Sequence, residues 1–510
     1  MSHPAPPSTG TTAGADIADA KAAAAREQEH DHSRRWWTLA VLGLAQLMVV
    51  LDATIVNIAL PSAQADLGFG NADRQWVVTA YALAFGGFLL LGGRLADLFG
   101  RRRMLLVGLA GFAIASALGG AATGFGTLVA ARAVQGAFGA VLAPSALSLL
   151  TITFTDPKER GKAFGIFGAI AGAGAAIGLL LGGLLTEYLS WRWCLYVNVP
   201  IAVVAGAGAL AFIPKVAPAK GVRLDIPGVV LAGLGLAGLV YSFARAETDG
   251  WGDPVTVGLI AVSVLLLIAF VIVQRKVSHP LLPPRVVLDR RRGGAYLAIT
   301  LAAIGSFAVF LFLTYWLQQT KGFSPLMSGV AFLPLVAGIV TSSTVIVPRV
   351  LPRIGPRPLL VTGQLLGAAG LLLLSRLAVD SSYLAHVLPA LYVMGAGMGL
   401  IFASCFNTAT SGTRPADAGV ASALVNTGQQ VGGALGTALL NTIAATVTAS
   451  YVTAHQQSAS VLADAAVAGE TRAFLVSAGV FGLGAVVSLL VFPSGPNPVP
   501  QRGAQVPAGH

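Results

Sequence analysis

The 510-residue chain is 55% hydrophobic and only 10% charged, with a mean hydropathy of +0.76, whereas a soluble globular protein carries about 25% charged residues. That balance excludes a water-exposed enzyme, a nucleic-acid binder and a disordered scaffold, although a formal net charge of +11 would otherwise point to an anionic partner. Two cysteines, Cys194 and Cys405, are too few for a disulfide framework. An excess of 25 Arg over 7 Lys, with abundant Ala and Gly, points to a GC-rich bacterial genome.

Residues 1–35 combine Ala, Ser, Pro and charge without an apolar stretch, and read as a disordered cytoplasmic tail rather than a secretory signal. From Trp36 onward, apolar runs recur at 37–60, 76–93, 103–123, 127–150, 162–186, 194–213, 225–244, 255–273, 294–318, 326–347, 358–378, 384–410, 418–443 and 472–492. Each is about 20 residues long, the length that crosses a bilayer as a helix. Fourteen crossings place both termini on one side. With that side cytoplasmic, the inner tails and loops hold 25 of the 32 Lys and Arg, the outer loops hold six, and Arg132 alone falls within a span. Reversing the orientation or removing one helix destroys the asymmetry that the positive-inside rule requires. The expectation is an all-α polytopic protein of a bacterial cytoplasmic membrane with both termini in the cytoplasm.

An internal repeat runs through these spans. A shift of 255 residues lays Arg94, Leu95, Gly100 and Arg102 on Arg349, Val350, Gly355 and Arg357; a shift of 258 pairs Gly161, Gly174 and Gly178 with Gly419, Gly432 and Gly436. Two six-helix halves, 36–213 and 294–492, produce these offsets if residues 214–293 form an inserted helix pair and cytoplasmic loop, with 493–510 as a second tail. Duplicated halves facing one another are the architecture of alternating-access transporters.

Few charges remain that membrane anchoring does not explain. Asp52 lies nine residues before Pro61, ~13 Å from the outer end of the first span, and Arg132 lies ~8 Å from the same side of the fourth. They are within reach of one another, and ionisable groups inside spans are costly and functional by default; the alternative is a carboxylate in a wet vestibule and an Arg that braces helices. After span 2, Gly93, Arg94, Asp97, Gly100 and Arg101 combine turn-permitting glycines with an acid among arginines, which suits a switchable cytoplasmic gate or, more simply, a cluster of anchors. Small residues at Gly174, Gly178, Gly182 and Gly183, and at Gly432 and Gly436, suit close helix packing. No metal-ligand spacing, phosphate-binding loop or nucleophile constellation is present in the sequence.

The stretch Gly93-Arg94-Leu95-Ala96-Asp97-Leu98-Phe99-Gly100-Arg101-Arg102 resembles the signature between helices 2 and 3 of the major facilitator superfamily. The run Leu51-Asp52-Ala53-Thr54-Ile55-Val56-Asn57-Ile58-Ala59-Leu60-Pro61 is similar to the helix-1 signature of the fourteen-helix drug:proton antiporters of the EmrB/QacA type. Arg132-Ala133-Val134-Gln135-Gly136 resembles that family's helix-4 motif, and further likeness runs through Ser190–Trp193, Asn198-Val199-Pro200 and Asn426–Gly436. The resemblance, spanning residues 37–492, implies a major facilitator fold, alternating access and proton-coupled export of amphipathic drugs or antibiotics. It implies no enzymatic activity and no cofactor, the proton gradient supplying the energy; the partners are a small amphipathic molecule, protons and the bilayer, with no nucleic acid, and the chain is expected to be monomeric. Asp52 and Arg132 would line or support a central cavity, with Asn57, Gln135, Tyr315, Trp316, Gln318, Asn407, Asn426 and Gln430 as further candidates. Leu179 stands where the antiporters' helix-5 motif has proline, so the kink is lost or arises elsewhere. Uptake by symport, export of a metabolite or lipid, and a non-transporting membrane sensor or assembly partner remain alternatives.

Overall fold

A computed structural model describes residues 12–215, 224–277, 280–414, 417–455 and 459–495. Among them, thirteen helices are long and apolar enough to cross a membrane, and a bent pair supplies a fourteenth. In chain order these are α1 Ser33–Val56, α2 Trp76–Phe99, α3 Arg101–Gly120, α4 Phe125–Thr153, α5 Lys158–Gly174 with Ala176–Tyr188, α6 Trp193–Phe212, α7 Ile226–Ala246 and α8 Pro254–Lys276. The series continues with α9 Arg290–Thr320, α10 Leu326–Ile354, α11 Pro356–Leu374, α12 Tyr383–Thr410, α13 Ala418–Ala454 and α14 Val461–Val491. The bundle end expected to face the cytoplasm is called inner below.

Helix contacts repeat with an offset of eight. In the first half, α1 packs on α4, α5 and α6, α2 on α4, and α3 on α4 and α6. In the second, α9 packs on α12, α13 and α14, α10 on α12, and α11 on α12 and α14. The faint glycine repeat has the same meaning in space. Gly174 and Gly178 of α5 rest on Val50, Leu51 and Thr54 of α1, while Gly432 and Gly436 of α13 rest on Thr300, Ala303 and Ile304 of α9. Gly182 extends the first stripe to Ile55, and Gly183 is buried beside it. A side chain at these positions would enter the facing helix, so small residues set the helix separation. The turns after α2 and α10 also correspond: Gly100 and Gly355 adopt φ of 93° and 81°, a region open to glycine and strained for other residues.

The halves meet along two related seams. On one, α2 and α4 face α13; on the other, α10 and α12 face α5. Gly93 meets Gly419 on the first seam, and Gly161 meets Pro348 on the second, each the counterpart of the other under the sequence shifts. The inserted pair breaks this symmetry. Helix α7 packs across α2 and α13, and α8 packs on α7, leaving only 17% of the α8 apolar window buried.

Three local features differ from the sequence expectation. The helix containing α1 starts at Thr12 rather than after a disordered tail ending at 35, in keeping with the helix-favouring alanine run Ala22–Ala25; residues 1–11 and 496–510 lie outside those described. Helices α13 and α14 form a longer hairpin than the expected 418–443 and 472–492, because Gly469 seats against Ala444 and Thr448 and Thr448 donates to the Ala465 carbonyl at 3.2 Å. Finally, α5 keeps a bend without its proline, turning by 47° between Gly174 and Ala176.

Candidate functional site

Asp52 sits where α1, α3, α4 and α6 converge and is completely buried. A buried carboxylate requires donors, and three are supplied. Arg132 Nη1 donates to Oδ2 at 2.6 Å, while Gln135 Nε2 and Asn198 Nδ2 each donate to Oδ1 at 2.7 Å. With donors on both oxygens, the carboxyl acts here as a full acceptor, the behaviour of the ionised form.

The partners are themselves held. Arg132 Nη1 also donates to Gln135 Oε1 at 2.7 Å and its Nε to the Val77 carbonyl at 3.2 Å. Its guanidinium lies 4.4 Å from the centre of the Tyr81 ring, a cation–π contact that is stronger out of water. Gln135 Nε2 donates to Ser116 Oγ at 2.6 Å. The spacing between Arg132 and Gln135 is one helical turn, which places both on one face of α4. Asn198 is the first residue of the principal helix of α6, which follows a short turn Trp193–Tyr196. The Asn198 Oδ1 and the Tyr81 hydroxyl are buried without a hydrogen-bond partner, so the network has unused polar capacity.

The expected pairing of Asp52 with Arg132 is therefore direct, and Gln135 joins it. Sequence reasoning did not find Asn198, Ser116 and Tyr81. Asn198 carried a signal, since it lies in the Asn-Val-Pro stretch near the outer end of span 6; Ser116 and Tyr81 are single polar residues in apolar runs and carried none. All described partners of Asp52 belong to the first half, so in this conformation the acid is enclosed within that half and not open to the seam between halves.

The remaining cavity candidates are dispersed. Trp316 is fully buried in the main apolar cluster, Tyr315 is 42% exposed, and Gln318 is half-buried. The flanking segments Val309–Leu313 and Trp316–Thr320 are π-helical, a feature frequent at functional sites. Asn407 is buried; Asn426 is buried and donates to the Ser422 carbonyl at 3.0 Å. Gln430 of α13 reaches toward Gly86 of α2, which places it on a seam. No described hydrogen bond joins these six residues to Asp52. The Asn57 side chain lies outside those described.

At the inner end, the residues expected to form a gate do converge on the α2–α13 seam. Gly93 and Gly419 approach backbone to backbone, a Cβ at Gly93 falling 2.7 Å from the Gly419 carbonyl oxygen. Asp97 is buried and accepts Arg101 at 3.1 Å. Arg94 is buried beside them, within electrostatic range of Asp97, Asp417 and Asp225. Asp417, just before α13, is held by Arg285 through bonds of 3.0 and 2.9 Å. Across the other seam, Arg160 of α5 donates to Thr410 of α12 at 3.0 Å. The Arg285 and Arg160 contacts were not legible as gate elements in the sequence, because each partner lies far away in the chain.

The outer end of the first half is tied by Asp66, which accepts Trp191 Nε1 at 3.0 Å and Arg192 at 2.9 Å. Arg192 also donates to the Gly120 and Ala122 carbonyls at 3.1 and 2.7 Å. Cys194 and Cys405 are both buried and unbridged.

Comparison with known proteins places this geometry in context. The family model of the Major Facilitator Superfamily matches residues 42–437. The puromycin resistance protein pur8 of Streptomyces alboniger is 53% identical over 473 residues, covering 92% of this chain and 94% of that protein. The cephamycin export protein CmcT of Amycolatopsis lactamdurans is 43% identical over 403 residues, covering 78% and 83%. The tetracenomycin C resistance and export protein of Streptomyces glaucescens is 35% identical over 415 residues, covering 81% and 76%. Among solved structures, the human organic anion transporter MFSD10 aligns with a TM-score of 0.62 at 16% identity, covering 89% of this chain and 99% of that one; the likeness is one of fold.

Proposed function

The chain belongs to the major facilitator superfamily, and from that premise we propose that it exports an amphipathic antibiotic or drug in exchange for protons. As a multi-pass membrane transporter of a small molecule, it would work in the bacterial cytoplasmic membrane as a monomer with both termini in the cytoplasm. The observation that carries the reading is the enclosed Asp52–Arg132 pair, together with relatives whose names record antibiotic resistance or export. Protonation of Asp52 removes the charge that holds Arg132, Gln135 and Asn198, and so loosens α4 and α6 from α1. Binding of substrate to the loosened form, followed by loss of the proton, returns the network to the state seen here. The Gly93–Gly419 contact with Asp97 and Arg101 would act as the inner gate that opens and closes in that cycle.

The test is drug susceptibility in a host without its own efflux pumps, paired with proton release from purified protein on drug addition. Wild type is expected to raise resistance and release protons, and Asp52→Asn is expected to do neither while still inserting. Resistance and proton release by Asp52→Asn equal to wild type would overturn the reading. Uptake by symport is separated by inside-out vesicles, where only the exporter accumulates drug under an imposed proton gradient.

A further inference from the structure

Five carboxylates are buried among the described residues: Asp52, Asp97, Asp225, Asp417 and Glu470. Four of them accept hydrogen bonds from side chains, respectively Arg132, Arg101, Gln274 and Arg285. Glu470 accepts none from a described residue; it is 6% exposed, and its Oε2 is fully enclosed without a partner among them. The apolar run 472–492 leaves Glu470 just outside it, in the outer connection that follows 418–443. The helix begins earlier, so Glu470 lies nine residues inside α14, ~14 Å along the axis from Val461.

Its side chain shares a stripe with Val467, Phe474 and Phe481, all buried in the main apolar cluster of the bundle, as the 3–4 residue spacing requires. Helices α9, α11 and α13 pack against α14. On α9, Arg290, Arg291, Arg292 and Tyr296 belong to the inner end; at the outer end are Tyr315, half exposed, and Lys321, whose Nζ donates to the Val379 carbonyl at 2.8 Å. On α11, Arg357 lies at the inner end, with Arg376 and Asp380 past the outer one. On α13, Tyr451 stacks on His455 at 4.3 Å. On α14 itself, Asp464 and Arg472 are exposed. None of these groups forms a described hydrogen bond or ion pair with Glu470.

We propose that Glu470 is a second proton-binding site of the transporter, housed in the second half and loaded from the outer aqueous phase. The proposal rests on the reading of the chain as proton-coupled. An unpaired carboxylate anion in apolar surroundings is costly, and a proton is the partner that removes its charge. Hydronium transfers its proton to a carboxylate oxygen, forming an O–H bond and leaving water; the reverse transfer follows when the outer ends of α13 and α14 part and water reaches the group. Asp52 presents the complementary case, an acid supplied with three donors. The two halves then hold acids of opposite character, one satisfied by side chains and one by the proton.

The test is infrared difference spectroscopy of the purified full-length protein in lipid, stepped between low and high pH with no drug present. Wild type is expected to show a protonated-carboxyl C=O band that Glu470→Gln loses and Asp52→Asn keeps. Where Glu470→Gln does not insert, Glu470→Asp assigns the band by shifting its position. Spectra of the glutamate variants that superimpose on wild type would overturn the proposal. If drug-driven proton release is absent from wild type while the Glu470 band persists, the exporter reading falls and the site stands, so the two failures are distinguishable.

Discussion

Asn198 donates its side-chain amide to Asp52 at 2.7 Å across 146 positions of the chain, closing the first half's polar network between its first and last helices. The same carboxylate oxygen takes Gln135 from α4, so one atom fixes the relative positions of three helices. Removing the amide leaves a buried acceptor short of a donor. Asn198→Ala is expected to lower folding stability by about 1.5–3 kcal/mol, the range for a hydrogen bond to a charged group, and Asn198→Asp by more, since it sets a second acid against Asp52. Thermal melting of the purified variants checks the order.

The Asp52–Arg132 pair offers a double-mutant cycle. Both side chains are buried, so Arg132→Gln alone strands a carboxylate and is expected to cost about 3–5 kcal/mol. Combining Asp52→Asn with Arg132→Gln replaces the ions with neutral groups and is expected to recover most of that stability, but not transport. Arg132→Lys is expected to lose transport too. Lysine gives up the Nε bond to Val77 and the planar contact with Tyr81, neither of which an ammonium reproduces. Melting temperature and drug-driven proton release, measured on the same preparations, separate the two effects.

Gly419→Leu tests the inner contact. Even a Cβ there would fall 2.8 Å from Asp97 Oδ2 and clash with the Gly93 carbonyl. The substitution is expected to hold the inner ends of α2 and α13 apart. Spin labels on the two helix ends should report a longer distance than in wild type, with transport reduced at least tenfold. Unchanged distances would show that the contact adjusts without opening.

Leu179→Pro is expected to be tolerated. Proline in a helix interior ordinarily costs about 3 kcal/mol, because it removes the bond to the carbonyl four residues earlier and clashes with it. Counting back from Leu179 gives Ala175, the position between the two segments of α5, where the helix already bends by 47°. Transport and melting temperature of Leu179→Pro should stay close to wild type, whereas Gly174→Leu should lose both, since a Cβ at Gly174 already falls 2.7 Å from Val50.

The sequence was most informative where composition or spacing alone determines the outcome. Apolar run length yielded the spans and their count, and the sorting of Lys and Arg agreed with that count. The offsets of 255 and 258 correctly paired Gly100 with Gly355 and Gly174 with Gly432, because duplicated helices need the same small residues at the same close approaches. It was least informative for pairings across the chain. Arg285 with Asp417 and Arg160 with Thr410 depend on which helix ends meet, which no local pattern encodes. Glu470 falls outside the span bounds 472–492 for a different reason: Thr, Ser, His, Gln and Asp between 444 and 471 pull the hydropathy below that of a span, yet 444–454 and 459–471 are helical where the two segments pack on one another.

The inserted pair gives a molecule of nearly twofold interior two unlike flanks. One seam, between α2 and α13, is roofed by α7, with α8 beyond it; among the described residues neither α7 nor α8 packs on α5 or α10 at the other. If the substrate reaches the protein from among the acyl chains, the insertion makes its two approaches to the junction of the halves unequal, a handedness that a twofold interior alone would lack.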